Sequence, residues 1–468
     1  MKTYIFPYKI ISCVLIITLF LLLGSCRKFV DVGAPSDQLV TATAFATDNT
    51  LKATLAGMYI TLAVSNSYDL QMNLSFATGN SADETLFFIS TIDYDPFLNN
   101  NLAADHYLVS NFWSELYTSI YQANAIIAGV ENSTGNLSTA MKTEAVGEAK
   151  FVRAFCYFYL VNLYGDVPIA LTTDAATNNA LFRSPKAKVY QQIIADLTDA
   201  KNSIVADYSY ASSERTRPNK YAAIALLART YLYMGDWANA QTNAALVINY
   251  TSLYSLLPTS GLGGIFLKNN KEAIWQVTGT AFPDFTQEGQ NYYQGTSNIP
   301  NYQLSNNLLK AFEPGDLRYT NWVGVTTYSG VTYYYPYKYK QHAANTSATA
   351  EYCTYLRLAE QYLVRAEAMA EQNNLSGAIA DINMIRNRAG LSNTTATSQA
   401  DILLAIEQER KIELFSEYGH RWNDLRRTGR ANAVLGAEKT GWTANAALYP
   451  IPKYDRDNNH NLTQNPGY

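Results

Sequence analysis

The first residue whose position indicates a specific chemistry is Cys26. It follows Gly24 and Ser25 at the end of an apolar run from Ile10 to Leu23, and two lysines stand at the amino-terminal side of that run. The run is short for a membrane span, and a basic start, an apolar stretch and small residues before a cleavage point are typical of a signal peptide. We therefore expect residues 1–25 to be removed and the Cys26 thiol to carry lipid, which attaches the mature chain stably to a membrane. An amino-terminal anchor helix and an ordinary secretory signal are the alternatives.

Carboxylates are the residues that could hydrolyse a glycosidic bond, and Asp83 with Glu84 is such a candidate pair. Glycosidases place two carboxyl groups across a cleft, and the sequence identifies no partner for this pair. The chain has only four histidines, and it contains no His-Glu-x-x-His, Cys-x-x-Cys, phosphate-loop or Gly-x-Ser-x-Gly motif. We therefore predict a protein that is not an enzyme and needs no cofactor.

One short segment begins like a calcium loop. Asp455, Asp457 and Asn459 have the alternating spacing of its first ligands, but His460 stands where the turn glycine belongs. No glutamate falls at the twelfth place. We therefore expect no metal site, although a calcium ion here is the alternative.

Aromatic and amide side chains in two loop-rich segments have the chemistry of sugar capture. A pyranose ring has an apolar face that packs on an aromatic ring, and its hydroxyl groups pair with amide and carboxylate groups. The alternative for every ring is packing in the core. The candidate ligand-binding residues are Asn80, Asp83, Tyr94, Phe97, Asn100, Tyr292, Trp322 and Tyr334.

Composition excludes one class of partner. The formal net charge is −4 and only 16% of the residues are charged, so there is no basic surface for nucleic acid. The chain has 36 tyrosines and 18 phenylalanines, which suits an exported protein with amphipathic, weakly charged surfaces. Cys156 and Cys353 lie in apolar and aromatic runs and are expected to be buried thiols, with a disulfide between them as the alternative.

Helices must position these residues. Apolar residues recur at spacings of three and four over 111–130 and again over 148–164, where Gly165 and Pro168 end the second helix. Further helices are expected in pairs. Ala228, Tyr231, Gly235 and Ala240 have the spacing of a tetratricopeptide unit.

A second pair of helices is expected where Ala366 and Ala378 repeat the spacing of twelve residues, and the segment 401–418 should continue the array as another helix. Between the pairs, residues 252–350 are rich in Gly, Pro, Asn and Tyr, with short strand-like runs at 273–277 and 331–335. The fold class predicted is therefore mainly α, with a tetratricopeptide-like helical scaffold and a loop-rich lobe that contains small β-strands.

Nine short motifs follow one another in order along the chain. They are Glu148–Phe155, Leu163–Pro168, Tyr355–Glu360, Arg365–Ala368, Ile385–Leu391, Glu409–Leu414, Gly419–Gly429, Tyr449–Pro452 and Asn461–Tyr468. With this ordered set, the chain resembles the SusD/RagB family of nutrient-binding outer-membrane lipoproteins. Departures from the family pattern are small: Asp455 and His460 stand where the family usually has Glu and Pro.

The resemblance implies a lipidated tether over 26–48 and one domain over 49–468, whose scaffold of about eight helices spans 49–250 and 350–468 around the variable lobe at 252–350. It also implies a location on the outer face of the outer membrane, anchored by lipid. Such proteins are non-catalytic and close over a SusC-like TonB-dependent transporter, to which they deliver oligosaccharides. Peptide capture, a transporter lid with little ligand affinity, and a glycosidase are the alternatives.

The charged residues of the last signatures have two interpretations. Arg421, Asp424, Arg426 and Arg427, together with Glu409 and Glu413, could bind an anion. Alternatively they form ion pairs and caps that hold the last helices together, which is the favoured interpretation. The terminal segment Asn465–Tyr468 is expected to pack against the body, with the Tyr468 ring buried.

Overall fold

Helices form most of the structure. The computed structural model describes residues 41–63, 70–278, 285–293, 298–342 and 349–468, so Cys26, the signal peptide and most of the tether lie outside the described residues. Within the described ranges, no helix is long and apolar enough to cross a membrane. The helices there are α1 Thr41–Ala44, α2 Asp48–Ala63, α3 Leu70–Ser81, α4 Asp95–Leu98, α5 Tyr107–Glu131, α6 Thr139–Tyr164, α7 Ala175–Asn178, α8 Lys186–Ser203, α9 Lys220–Met234, α10 Trp237–Ile248, α11 Gln287–Tyr292, α12 Asn306–Leu309, α13 Leu317–Trp322, α14 Leu358–Glu371, α15 Leu375–Arg388, α16 Gln399–Glu413, α17 His420–Arg427, α18 Ala431–Glu438 and α19 Lys453–Asn458.

The two long helices expected from apolar spacing are confirmed as α5 and α6, and both begin earlier than predicted. The side chain of Ser138 accepts a hydrogen bond from the Met141 amide and so caps the start of α6. The first turns of α6 carry polar residues on their exposed face, so apolar spacing alone did not detect them. Helix α6 ends at Gly165, which has a φ of 77°, and this confirms the end predicted from the glycine.

The predicted helix pairs are confirmed as α9–α10 and α14–α15. In the first pair, Gly235 adopts a φ of 74° at the end of α9, and the Asp236 carboxylate caps the next helix by accepting from the Asn239 amide. In the second pair, Asn373 with a φ of 61° and the cap residue Asn374 make the corresponding turn. The small residues at the contacts are fully buried, namely Ala228, Ala240, Ala366 and Ala378.

Successive helices pack side by side into an array. Helix α5 packs on α6, α6 on α8, α8 on α9, α9 on α10, α10 on α14, and α14 on α15 and α16. This confirms the mainly α fold with a tetratricopeptide-like scaffold. The helix predicted over 401–418 stops at Glu413 instead, because Ser416 and Tyr418 adopt positive φ values of 53° and 44°, which a helix does not accommodate.

Six short strands form three two-stranded antiparallel sheets in the described ranges. The strands predicted at 273–277 and 331–335 are confirmed, the second being one residue longer. They are β1 Thr85–Phe87 with β3 Tyr302–Leu304, β2 Ala273–Val277 with β6 Cys353–Arg357, and β4 Val323–Tyr328 with β5 Val331–Pro336.

A buried charge network joins the lobe to the last long helices. Glu413 on α16 accepts from Arg318 at 3.2 Å, from Arg357 at 2.6 Å and from Arg388, and Arg388 also pairs with Glu272 at 2.5 Å. Burial alone would raise the pKa of Glu413, but the three guanidinium groups outweigh it and hold the pKa well below its usual range. The network therefore consists of charged side chains that are stable in the core only together.

The ion-pair interpretation of the last signature is confirmed for most of its arginines. Arg421 pairs with Asp83, and Arg427 pairs with Glu367 and Asp424, while Asp424 also accepts from Arg410 at 2.7 Å. Arg426 is an exception, because no carboxylate lies within ion-pair distance of it among the residues that the structure describes.

The structure also tests the predictions for the two cysteines and for the carboxyl-terminal segment. Cys156 and Cys353 are buried, and no disulfide joins them. The terminal segment is held by Asn465, whose amide donates to the carbonyl groups of Tyr164 and Tyr449 at 2.9 and 2.8 Å. The Tyr468 ring, however, stays 38% exposed, because its hydroxyl group reaches only the Leu448 carbonyl at the edge of the body.

Candidate functional site

A buried aromatic cluster supports the site from below. The Phe76 ring lies 4.9 Å from Tyr94 and 4.5 Å from Tyr302 in edge-to-face contacts, and Phe87 and Tyr292 complete the group. Phe87 and Tyr302 face each other across the β1–β3 pair. Interlocked rings of this kind form a rigid base, because each ring fills the space between its neighbours.

A row of rings lies above this base at the surface, and we call it the aromatic strip. It consists of Phe88, Tyr333, Tyr335, Tyr293 and Tyr337. Phe88 and Tyr333 are 6.1 Å apart, Tyr335 is 6.4 Å from Tyr293, and Tyr335 is 5.8 Å from Tyr337. Phe88 is 39% exposed, and Tyr293, Tyr333 and Tyr337 are half-buried, so the strip presents ring surface to solvent while Tyr335 anchors it.

The β4–β5 hairpin positions the strip. Its turn residues Ser329 and Gly330 both have positive φ values, 49° and 78°, which is the turn geometry that matches the twist of paired strands. Residues two apart share one face of a strand, so Tyr333 and Tyr335 point to the same side. Tyr335 lies flat over Gly324, where an added Cβ atom would come within 2.3 Å of the ring.

Polar groups border the strip. The exposed His342 ring lies 4.3 Å from Tyr293, and the Lys340 amine lies over the Tyr337 ring at 5.6 Å. Burial, and then the neighbouring Tyr337 and Tyr293, raise the pKa of Tyr335 to about 12. The Tyr335 phenol is therefore neutral at physiological pH, and a neutral phenol can both donate and accept hydrogen bonds. The arrangement can pack against an uncharged ring and pair with its hydroxyl groups.

Three predicted polar ligand residues are buried in internal contacts instead. Asn80 accepts from the Thr85 hydroxyl at 2.9 Å, and Asn100 donates to the Ser81 carbonyl at 3.0 Å. Asp83 is ion-paired with Arg421 at 2.8 Å and with Lys411 at 2.7 Å. Because all three side chains are buried and each already has a contact within the protein, we correct the expectation that they face a ligand.

The predicted aromatic residues are also mostly core. Tyr94 and Tyr292 belong to the buried cluster around Phe76, and Phe97 is fully buried 5.5 Å from Tyr449. Trp322 is fully buried as well, and its indole NH donates to the Leu262 carbonyl at 2.9 Å. These four rings are inaccessible to a ligand. They pack in the core, which is the alternative stated above for each ring, and do not stack on a sugar.

Tyr334 is the eighth candidate, and it lies half-buried on the opposite face of β5 from Tyr333, next to Tyr319. The aromatic strip therefore contains none of the eight candidates, although two of them support it from below. Sequence reasoning missed Phe88, Tyr333 and Tyr335. A signal existed in the sequence, because a Ser-Gly turn followed by a strand with three consecutive tyrosines places Tyr333 and Tyr335 on one face of a hairpin.

The paired carboxylates considered for hydrolysis have contrasting environments. Arg421 and Lys411 hold the pKa of Asp83 below its usual range despite its burial, whereas burial and the charge of Asp83 raise the pKa of Glu84 to about 8. Glu84 is buried, and its Oε1 atom accepts no hydrogen bond in the described structure. Neither carboxylate can reach a sugar.

Replacing Glu84 with glutamine is expected to stabilise the protein at alkaline pH. A carboxyl group whose pKa is raised by folding binds a proton more readily in the folded state, so wild-type stability falls as the pH rises from about 4.5 to about 8. Because glutamine resembles the protonated carboxyl group, the Glu84→Gln variant should not lose stability over this pH range. Urea unfolding at pH 5 and pH 9 measures it, and a Glu84→Gln variant less stable than wild type at pH 9 would contradict the assignment.

A cavity of about 600 Å³ lies elsewhere, on the helical side between α5 and α19. Its lining includes the exposed rings of Tyr121 and Tyr454 and the side chain of Asp455. Asp455 and Asp457, considered above for calcium, belong to the helix α19, where Asp457 pairs with Lys453. This cavity is the rival location for a ligand.

Two family models match the chain. The model described as starch-binding and associating with the outer membrane matches residues 28–232, and the SusD family model matches residues 281–468. The SusD-like protein P2 of Formosa agariphila is 28% identical over 98% of this chain and 99% of its own length. The starch-binding protein SusD of Bacteroides thetaiotaomicron is 25% identical over 72% of this chain and 75% of its own.

Solved structures agree on the fold. A SusD superfamily protein from Bacteroides thetaiotaomicron superposes with a TM-score of 0.77 at 24% identity, covering 90% of this chain and all of the other. A laminarin-binding SusD-like protein superposes with a TM-score of 0.74 at 22% identity, covering 91% of this chain and all of the other. These similarities extend over the scaffold and the lobe alike.

Proposed function

Since the chain belongs to the SusD family of glycan-binding proteins that associate with the outer membrane, we propose that it is a non-catalytic lipoprotein that captures oligosaccharides on its aromatic strip. The single observation that supports this use of the strip is its geometry. Phe88 and Tyr333 expose ring surface in an edge-to-face pair with an interplanar angle of 88°, and further tyrosines of the strip and His342 border them.

Neutral sugar is the ligand class that this chemistry fits. The apolar face of a pyranose packs on an aromatic ring, and its hydroxyl groups need partners that both donate and accept hydrogen bonds. The strip has little formal charge to select a charged peptide. Starch and laminarin, the glucans named for two similar proteins, are therefore the first ligands to test.

Delivery is the second part of the proposal. The captured oligosaccharide passes to a SusC-like TonB-dependent transporter in the outer membrane, and the protein is held there by lipid on Cys26, facing the cell exterior. The family descriptions support membrane association, and the sequence around Cys26 supports lipidation. Co-purification of such a transporter with the full-length protein from solubilised outer membranes tests this partnership.

Replacing Cys26 with alanine is expected to move nearly all of the protein from the membrane fraction to the soluble fraction. The acyl chains are the only anchor proposed, and each buried methylene contributes about 0.8 kcal/mol to membrane binding. Fractionation followed by immunoblotting measures the change. Cys13→Ala is the matched control, because Cys13 lies in the segment expected to be removed. A Cys26→Ala protein that remains in the membrane would contradict lipid anchoring.

A binding panel tests glycan capture. Residues 27–468, which contain every described element, are titrated by calorimetry with starch, laminarin, other neutral polysaccharides and peptides. The proposal predicts saturable binding of at least one neutral glycan. Saturable binding of a peptide with no glycan signal would instead favour peptide capture, and no binding at all would favour a transporter lid.

A further inference from the structure

A second, smaller cavity is lined by cationic groups. It has a volume of about 200 Å³ and lies where the end of α17, the start of α18 and the start of α8 meet. Its lining includes Lys186, Arg426, Asn432 and the backbone around Gly429. Sites for drug-sized ligands are larger, at about 300–1,000 Å³, so this cavity suits a single small group.

Arg426 differs from the other arginines of its signature. Arg421 and Arg427 each pair with carboxylates, whereas Arg426 has no carboxylate partner among the described residues. Its Nη1 atom donates to the Asn162 carbonyl, and its guanidinium lies 5.4 Å from the Trp422 ring centroid. Its Nε atom is buried and has no hydrogen-bond acceptor in the structure. Desolvation lowers the pKa of Arg426 to about 10, so it remains charged at neutral pH.

An ammonium group, a helix start and an amide donor also lie at the same cavity. Desolvation and then the charge of Arg426 lower the pKa of Lys186, and the Asp166 carboxylate offsets them only in part, so the two cations repel each other. Helix α18 begins at Ala431 without a side-chain cap, and the first amide groups of a helix have no intrahelical acceptor, so the positive end of its dipole faces this region. The Asn432 side chain receives a bond from the Trp442 indole on its oxygen, which leaves its NH₂ group to donate.

We propose that this cavity binds one sulfate or phosphate group, held between the Arg426 guanidinium, the Lys186 ammonium and the amide groups at the start of α18. An oxyanion supplies the negative charge that the Arg426 guanidinium and the helix start lack, and it reduces the repulsion between the two cations. The group is either a free inorganic ion or the ester group of a charged sugar. Binding here is independent of glycan capture at the aromatic strip.

Titration of residues 27–468 with sodium sulfate and sodium phosphate tests the proposal, with sodium chloride of equal ionic strength as the salt control. We expect saturable oxyanion binding to the wild type. Lys186→Gln and Arg426→Gln are each expected to weaken it about tenfold or more, because each removes a charge-assisted contact. Lys188→Gln is the matched control, since Lys188 is exposed on the same helix and does not line the cavity.

Lys186 is exposed, so its variant keeps the test valid even if the Arg426 variant fails to fold. Glucose 6-sulfate is titrated beside glucose to separate the two sources. Binding of the ester at least as tight as that of inorganic sulfate assigns the site to charged sugars, and binding of the inorganic ion alone assigns it to free oxyanions. No saturable binding of either form, or equal affinity in wild type and Lys186→Gln, would overturn the proposal.

Discussion

Replacing Glu413 with glutamine is expected to lower the free energy of unfolding by about 3–5 kcal/mol, because breaking a buried ion pair leaves uncompensated charge in the core. Glu413 is fully buried and accepts from Arg318, Arg357 and Arg388, and all three guanidinium groups stay charged. Glutamine has nearly the same shape but removes the central negative charge. Urea unfolding at neutral pH, followed by circular dichroism, measures the difference.

Two further variants separate charge from packing. Glu313→Gln removes a carboxylate that is 42% exposed and whose partner Arg386 keeps Glu409, so its cost should be at most about 1 kcal/mol. Adding Arg388→Met to Glu413→Gln removes a cation of the network but also the partner of the buried Glu272, so the double variant should be no more stable than Glu413→Gln. Equal destabilisation by Glu413→Gln and Glu313→Gln would show that the buried network is not what joins the lobe to α16.

Replacing Tyr333 with alanine is expected to weaken glycan binding about five- to thirtyfold, which corresponds to about 1–2 kcal/mol for an aromatic contact surface. Phe88→Ala should have a similar effect, because the two rings adjoin at 6.1 Å. Tyr333→Phe keeps the ring and should lose much less. Calorimetric titration with the glycan identified by the binding panel measures each affinity.

Phe182→Ala is the control for these ring variants. Phe182 is 70% exposed on the scaffold just before α8, so its removal changes surface aromaticity without touching the strip. Because Phe88 and Tyr333 lie at the surface, their alanine variants should unfold at nearly the wild-type temperature. Equal affinities for wild type and Tyr333→Ala would exclude the strip as the binding surface, whatever glycan is bound.

Local signals predicted the scaffold well. The end of α6 is encoded by Gly165 and Pro168, and the turn of the first pair by Gly235 with Asp236, so a few adjacent residues determine each boundary. The strand at 331–335 was likewise predicted from its own residues. Where a local signal was weak, as at the polar first turns of α6 and at the turn after Glu413, the predicted boundary was wrong by several residues.

The site could not be predicted in the same way, because exposure depends on distant partners. Asp83 looks like a loop carboxylate in the sequence, yet its partner Arg421 lies 338 residues away. Trp322 and Phe88 are equally aromatic, and only packing against Leu262 and its neighbours makes one of them core. Residue type and spacing therefore predicted the chemistry of the lobe and its approximate segments, but not which rings face solvent.

A crystal structure of residues 27–468 with the oligosaccharide that binds in the panel would show where the sugar lies. Capture on the aromatic strip predicts a sugar ring packed on Phe88 and Tyr333, with carbon atoms within about 4.5 Å of the aromatic rings. Sugar found instead between Tyr121 and Tyr454, in the cavity of about 600 Å³ on the helical side, would contradict it.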